Sequence, residues 1–195
     1  MKKILVLTIS FCSMMVFGQR AVRKPVSTVP ELSIYNGKGD LMHLPNLSKG
    51  KVTFIDFWFI PCGPCFAEMN MLHQLYGQFK SEQRFRFLTI TFSDPSLVSP
   101  LLESRNTIDN DTYNYFKKIS RLDTFRLPVY YTVSKTASSF KDSKEYLGKA
   151  FGFTNYPTIM IFDKQGKLVY NKTGFTREGE KLQKQQIEAV IKANL

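Results

Sequence analysis

Hydrophobic residues fall in short runs separated by polar turns along most of this chain, and the spacing inside each run separates strands from helices. Val52 to Phe59 is apolar on both alternating faces except at Thr53 and Asp56, the pattern of a central strand covered on both sides. Phe66, Met69, Leu72, Leu75, Tyr76 and Phe79 then recur at helical spacing, and Phe85 to Phe92 supplies the next strand. Strand, helix and strand in that order predict a βαβ unit with a right-handed crossover. Upstream, Leu32 to Tyr35, the turn Asn36-Gly37-Lys38-Gly39-Asp40 and Leu41 to Leu44 predict a short hairpin. Downstream, Pro95 and Pro100 break the start of a stretch from 93 to 128 in which Tyr113 to Ile119 is helical. Val129 to Val133 is a β-branched and aromatic strand, and Lys144 to Phe151 a helix. Thr158 to Phe162, the turn Asp163-Lys164-Gln165-Gly166 and Leu168 to Lys172 form the clearest hairpin. The final helix, Glu178 to Ala193, places Leu182, Ile187, Val190 and Ile191 on one face.

The N-terminus follows a different pattern. Lys2 and Lys3 precede an apolar run from Ile4 to Phe17, and Val16 and Gly18 suit a cleavage site before Gln19, so residues 1 to 18 are expected to be an export signal. Bulky Phe11 ahead of Cys12 argues against a lipoprotein site. Uncleaved, the run is short for a membrane span but could serve as an anchor. Residues 19 to 27, polar and basic with Pro25, are expected to be a tether, leaving 28 to 195 as one domain large enough to bury a core without cross-links.

Net charge is +11, lowered to +9 when Lys2 and Lys3 leave with the signal. Export and the dispersal of the cations, with only Arg20, Arg23 and Lys24 grouped near a terminus, argue against nucleic acid. A solvated basic surface, or attraction to acidic partners, is the meaning that remains.

Cys62-Gly63-Pro64-Cys65 sits where the strand hands over to the helix. Unpaired backbone N–H groups and the positive end of the helix dipole stabilise a thiolate at the first cysteine. Pro64 suits the first helical turn because its missing N–H would have had no partner there. Cys65, one turn inward, can attack a mixed disulfide formed at Cys62. As a structural staple so short a loop would contribute only about 2 kcal/mol. Zinc would need two further ligands, and His43 and His73 have no suitable spacing. The pair therefore reads as a redox dithiol, and Cys12 would leave with the signal.

With these residues in place, the chain resembles thioredoxin-fold proteins, and the added N-terminal hairpin, central insert and export signal look most like exported bacterial thiol–disulfide oxidoreductases of the TlpA/ResA type. The resemblance covers residues 28 to 195. It implies an α/β thioredoxin-like fold: a mixed central sheet flanked by helices, with an N-terminal hairpin and a central helical insert. It makes Cys62 the attacking thiol and Cys65 the resolving one, closing to a Cys62–Cys65 disulfide at the end of a cycle. Asp56, six residues before Cys62, matches a buried carboxylate that moves protons to the second cysteine. Pro157 matches a cis-proline facing the dithiol, Tyr156 the residue whose backbone pairs with substrate, and Gly174 a glycine of the substrate groove. Glu68 either tunes the dithiol or is an ordinary carboxylate at a helix start.

Two departures bear on the redox properties. Pro61 stands where the family has Trp and reshapes the groove rim, and the strand Phe85 to Phe92 offers only Arg86 where thioredoxins carry Lys beside the buried Asp. Direction of electron flow is therefore open, with reduction of partners the expected sense. The implied partners are exported disulfide-containing proteins, with a membrane thiol reductase as electron donor; no cofactor or metal is expected, and oligomeric state is left open. Among rivals, a peroxidase on this fold wants Thr where Phe59 stands, and a copper carrier wants a wider cysteine spacing with a His after His73. A non-catalytic binding domain is the remaining alternative, against which both intact cysteines weigh.

Overall fold

A computed structural model describes residues 23–104, 111–132 and 140–195. The expected signal, Cys12 and the first part of the tether lie outside the described residues. In chain order the elements are β1 (Ser33–Asn36), β2 (Leu41–His43), α1 (Leu44–Ser48), β3 (Val52–Trp58), α2 (Gly63–Phe79), β4 (Phe85–Thr91), α3 (Pro95–Leu102), α4 (Asp111–Ser120), β5 (Val129–Tyr131), α5 (Phe140–Phe151), β6 (Thr158–Phe162), β7 (Leu168–Thr173) and α6 (Glu180–Asn194). The strands form one sheet in the order β2-β1-β5-β4-β3-β6-β7. β3, β4 and β5 run parallel, while β6 and β1 join antiparallel on either side. The predicted mixed sheet flanked by helices, with an N-terminal hairpin and a helical insert, is the architecture observed.

β3 lies in the interior of the sheet, between β4 and β6, and is buried along its whole length. Its alternation assigns side chains to two cores. Val52, Phe54 and Trp58 pack with Phe66, Met69 and Leu72 of α2 and with Ile187 and Ile191 of α6. Ile55 and Phe57 pack with Leu88, Ile90, Met160 and Phe162 of the sheet and Leu147 and Phe151 of α5. Register sets which groups meet at the sheet end carrying the dithiol. Asp56 lies between Thr89 of β4 and Ile159 of β6, and Phe57 opposite Thr158, so Pro157 arrives beside the end of β3 that leads to Cys62.

Besides the short helix α1, which the sequence reading did not contain, three regions depart from it. Pro95 does not break the chain but opens α3, where Asp94 caps the helix by accepting from Ser96 N–H at 2.8 Å, and Val98 and Leu101 are buried although Pro100 lies inside the helix. A proline costs little in a first turn, and burial of those two side chains offsets the hydrogen bond lost at the second. In α6, Leu182 is 60% exposed and Gln183, 6% exposed, takes the buried position above Ile187 and Ile191. Residues 24 to 29, whose first part was expected to be tether, lie against the domain: Val26 N–H donates to Phe151 C=O, Leu168 N–H to Ser27 C=O, and Val29 N–H to Gly166 C=O. Gly152, at φ +74°, permits this approach, because a Cβ there would collide with the Lys24 carbonyl. Among the described residues no helix is long and apolar enough to cross a membrane.

Candidate active site

The dithiol stands at the start of α2. Cys62 is extended (φ −131°, ψ 97°) and occupies the N-cap, its Sγ accepting from Cys65 N–H at 3.3 Å. The two sulfurs are joined in a disulfide with Cα atoms 5.3 Å apart. Cys62 is 5% exposed and Cys65 1%, so the first cysteine is the less deeply buried of the two. The approach loop is anchored to β4, since Ile60 N–H donates to Ser93 Oγ at 2.8 Å and Ser93 N–H to Thr91 Oγ1 at 3.1 Å. Both prolines flanking the site follow cis peptide bonds: Tyr156–Pro157, as the resemblance implies, and Ile60–Pro61, which the sequence did not disclose. Gly174, at φ +83°, donates its N–H to Pro157 C=O at 2.8 Å and so holds the second loop against β7.

A buried polar cluster lies between β3 and α2. Asp56 is fully buried on the α2 side of β3, and neither carboxylate oxygen has a partner in hydrogen-bonding geometry. Desolvation pushes its pKa up to about 8, and the nearby Phe57 N–H offsets only part of that. Glu68, one turn into α2, is also buried; its Oε1 accepts from Gln183 Nε2 at 3.0 Å, while Oε2 has no partner. Burial, and then the neighbouring Asp56, hold its pKa well above the carboxylate range. Tyr170 of β7 brings a buried hydroxyl without a partner toward the same cluster, its pKa raised to about 12 by burial and then by Glu68. Arg86 is no counter-ion for these acids, because alternation along β4 puts it on the opposite face from Phe87 and Thr89.

The rim is aromatic. Phe59 stacks on Phe92 with centroids 5.3 Å apart and meets Tyr156 edge-on at 5.2 Å, and Tyr156 meets Phe153 at 5.1 Å. Across the motif, Tyr115 of α4 lies over Gly63, where an added Cβ would come within 2.8 Å of its hydroxyl. Both histidines are engaged away from the dithiol. His73 pairs Nδ1 with Met69 C=O at 2.7 Å and accepts from Arg126 N–H at 2.9 Å through Nε2, which fixes a neutral tautomer consistent with a pKa lowered by burial. His43 faces Glu31 at 3.0 Å.

The structure thus brings Asp56, Cys62, Cys65, Pro61, Tyr156, Pro157 and Gly174 to one end of the sheet. Sequence reasoning missed Gln183, Tyr170, Tyr115 and Lys144, because each reaches the site by packing of a distant element. A polar residue standing where the periodicity of α6 wants an apolar one was the available signal for Gln183.

A four-residue dithiol motif at a strand-to-helix junction, beside a cis-proline at the end of a mixed sheet, defines a protein of thioredoxin-like fold. The chain belongs to the Redoxin family, which it matches over residues 24–191. It is 28% identical over 82 residues to the thiol-disulfide oxidoreductase ResA of Halalkalibacterium halodurans, a match covering 42% of this chain and 46% of that protein, so the matched segment spans about half of the relative's length. Among solved structures, the thioredoxin domain of a thiol-disulfide oxidoreductase from Bacteroides vulgatus superposes with a TM-score of 0.56 at 19% identity, covering 86% of this chain and 98% of that one. A provisionally assigned thiol:disulfide interchange protein DsbE from Chlorobium tepidum gives a TM-score of 0.55 at 18% identity, covering 87% and 99%.

Proposed function

We propose that this chain is a thiol–disulfide oxidoreductase of the cell envelope that reduces disulfides in exported proteins. The observation that carries this reading is the Cys62–Cys65 disulfide at the start of α2, at the end of the sheet to which strand register also brings the cis Tyr156–Pro157 bond, with the unpartnered carboxyl of Asp56 buried on the α2 side of β3. In the reduced protein, Cys62 thiolate attacks one sulfur of a partner disulfide. That bond breaks, a mixed disulfide forms, and the released partner thiolate takes a proton from water. Cys65 gives its proton to Asp56 and attacks Cys62 Sγ, so the intramolecular disulfide closes and the second partner sulfur leaves as a thiolate. Two electrons pass to the partner, and a dithiol reductase returns them. A carboxyl poised near pH 8 can both take and return a proton under physiological conditions.

Pro61, Tyr156, Pro157 and Gly174 form the substrate groove. Among the described residues, nothing hydrogen-bonds to the main-chain N–H or C=O of Tyr156, which leaves both able to pair with an extended partner segment like an added strand. Glu68, held by Gln183, shares the buried proton with Asp56. Lys2, Lys3 and the apolar run after them support export.

Reduction of insulin disulfides in the presence of a dithiol donor tests the activity. Wild type is expected to turn over, and Cys62→Ser to lose activity by more than about a thousandfold. Cys65→Ser is expected to accumulate mixed disulfides with envelope proteins, whereas Cys62→Ser is not. An inert wild type favours the non-catalytic binding domain, and equal trapping by both variants overturns the assignment of roles.

A further inference from the structure

Lys144 of α5 stands at the aromatic rim in a position that neither the fold nor the dithiol chemistry requires. Its Nζ lies 5.5 Å from the ring centroid of Phe59 and 5.9 Å from that of Tyr156. The negative faces of the rings hold the cation there, and the Tyr156 hydroxyl, donating to Lys144 C=O at 3.1 Å, fixes the helix backbone behind it. Phe59 is three residues from Cys62, and Tyr156 immediately precedes Pro157, so the cation borders the segment expected to pair with substrate.

Among the described residues, no carboxylate lies within ion-pairing distance of Lys144. Its helix neighbour Glu145 serves Arg23 at 3.9 Å and Lys149 at 3.3 Å. Arg23, the other cation near Tyr156, is further engaged by Phe153 C=O at 3.3 Å. A half-buried lysine with its ammonium over two aromatic rings and no ion pair among the described residues, beside main-chain groups that no described residue engages, is complementary to a negative side chain on whatever occupies that groove.

We propose that Lys144 is a specificity-determining residue that selects partner proteins carrying Asp or Glu next to the disulfide to be exchanged. The inference rests on the oxidoreductase reading and deepens it. The partner's extended segment pairs with Tyr156, and its acidic side chain reaches over the Phe59 and Tyr156 rings to the ammonium. The charge accelerates encounter and holds the register in which the disulfide faces Cys62.

Two octapeptides, each closed by one internal disulfide and differing only in Glu or Lys at the residues flanking it, test this against the reduced full-length protein. The second-order rate of disulfide exchange is read for each. Wild type is expected to prefer the Glu peptide by about threefold or more, the scale of one partly exposed ion pair. Lys144→Gln should lower that ratio at least about twofold and Lys144→Glu further, with Lys144→Arg restoring it and raised salt narrowing it. Lys80→Gln controls for the general basic field, since Lys80 follows α2 at the end remote from Cys62. A ratio unchanged in Lys144→Gln, or lowered equally by Lys80→Gln, overturns the inference and leaves the oxidoreductase reading standing. A wild type that reduces neither peptide overturns both.

Discussion

On one face of β3, Ile55 and Phe57 meet Leu88, Ile90, Phe151, Met160 and Phe162, a layer of hydrocarbon and aromatic rings. On the other, Val52, Phe54 and Trp58 share their layer with Asp56, Glu68, Gln183 and the Tyr170 hydroxyl, where several polar atoms lack partners. Both layers exclude water, so exposure does not account for the difference. Leaving a carboxyl buried without a hydrogen bond costs free energy that an apolar residue of the same size would recover. The α2 side accepts that cost at two carboxyls, Asp56 and Glu68, whereas among the described residues the α5 side buries no carboxyl, although Arg86 Nε on β4 lacks a partner there too. The two faces of one strand thus differ in their buried acids.

Substitutions across β3 measure that division. Phe57 lies between Phe151 at 4.5 Å and Phe153 at 4.8 Å, so Phe57→Ala is expected to cost about 3–5 kcal/mol in urea unfolding. Asp56→Leu should instead raise stability at pH 8. If Asp56→Leu destabilises as much as Phe57→Ala, the two faces are alike after all.

Proton linkage sharpens the same contrast. Asp56 has its folded pKa raised to about 8 from an ordinary value of 3.8, so between those values the unfolded chain has released a proton that the folded chain keeps. Its contribution to stability is therefore greatest below about pH 4 and is lost as pH rises through 8. Relative to Asp56→Asn, wild type should lose on the order of a few kcal/mol between pH 5 and pH 8. Parallel stability curves for the two proteins would place the carboxyl in water.

A smaller effect belongs to kinetics. If Asp56 accepts the Cys65 proton as proposed, Asp56→Asn is expected to slow release of reduced partner roughly tenfold to a hundredfold, while mixed-disulfide formation changes little. Stopped-flow separation of the two half-reactions checks this, and equal slowing would rule out proton transfer. Smallest of all, Tyr170→Phe removes a buried hydroxyl without a partner and should stabilise by about 1 kcal/mol in thermal or urea melts.

The parts legible in the sequence were those encoded by local periodicity or by a short motif. β3, α2 and β4 followed from apolar spacing, the terminal hairpin from its Asp163-to-Gly166 turn, and the burial of Asp56 from apolar neighbours on both sides. The cis geometry at Pro157 came only with the resemblance, since X-Pro bonds are usually trans. α3 was obscured because a proline both starts helices and ends them, and the cap at Asp94 decides between the two. Leu182 was misplaced because the face of α6 is set by Glu68, which reaches Gln183 from α2 across 115 residues. Tyr115 and Lys144 were invisible for the same reason: they reach the motif and its aromatic rim only once α4 and α5 are docked.

Tyr115 over Gly63 also constrains how this protein can be altered. The residue between the first cysteine and the proline is an inviting place to change the chemistry of a dithiol motif, and here a side chain larger than hydrogen meets the Tyr115 hydroxyl, the far end of an exposed side chain that has room to swing aside. A substitution at position 63 is therefore felt in the insert as well as at the dithiol, through the position of one phenol.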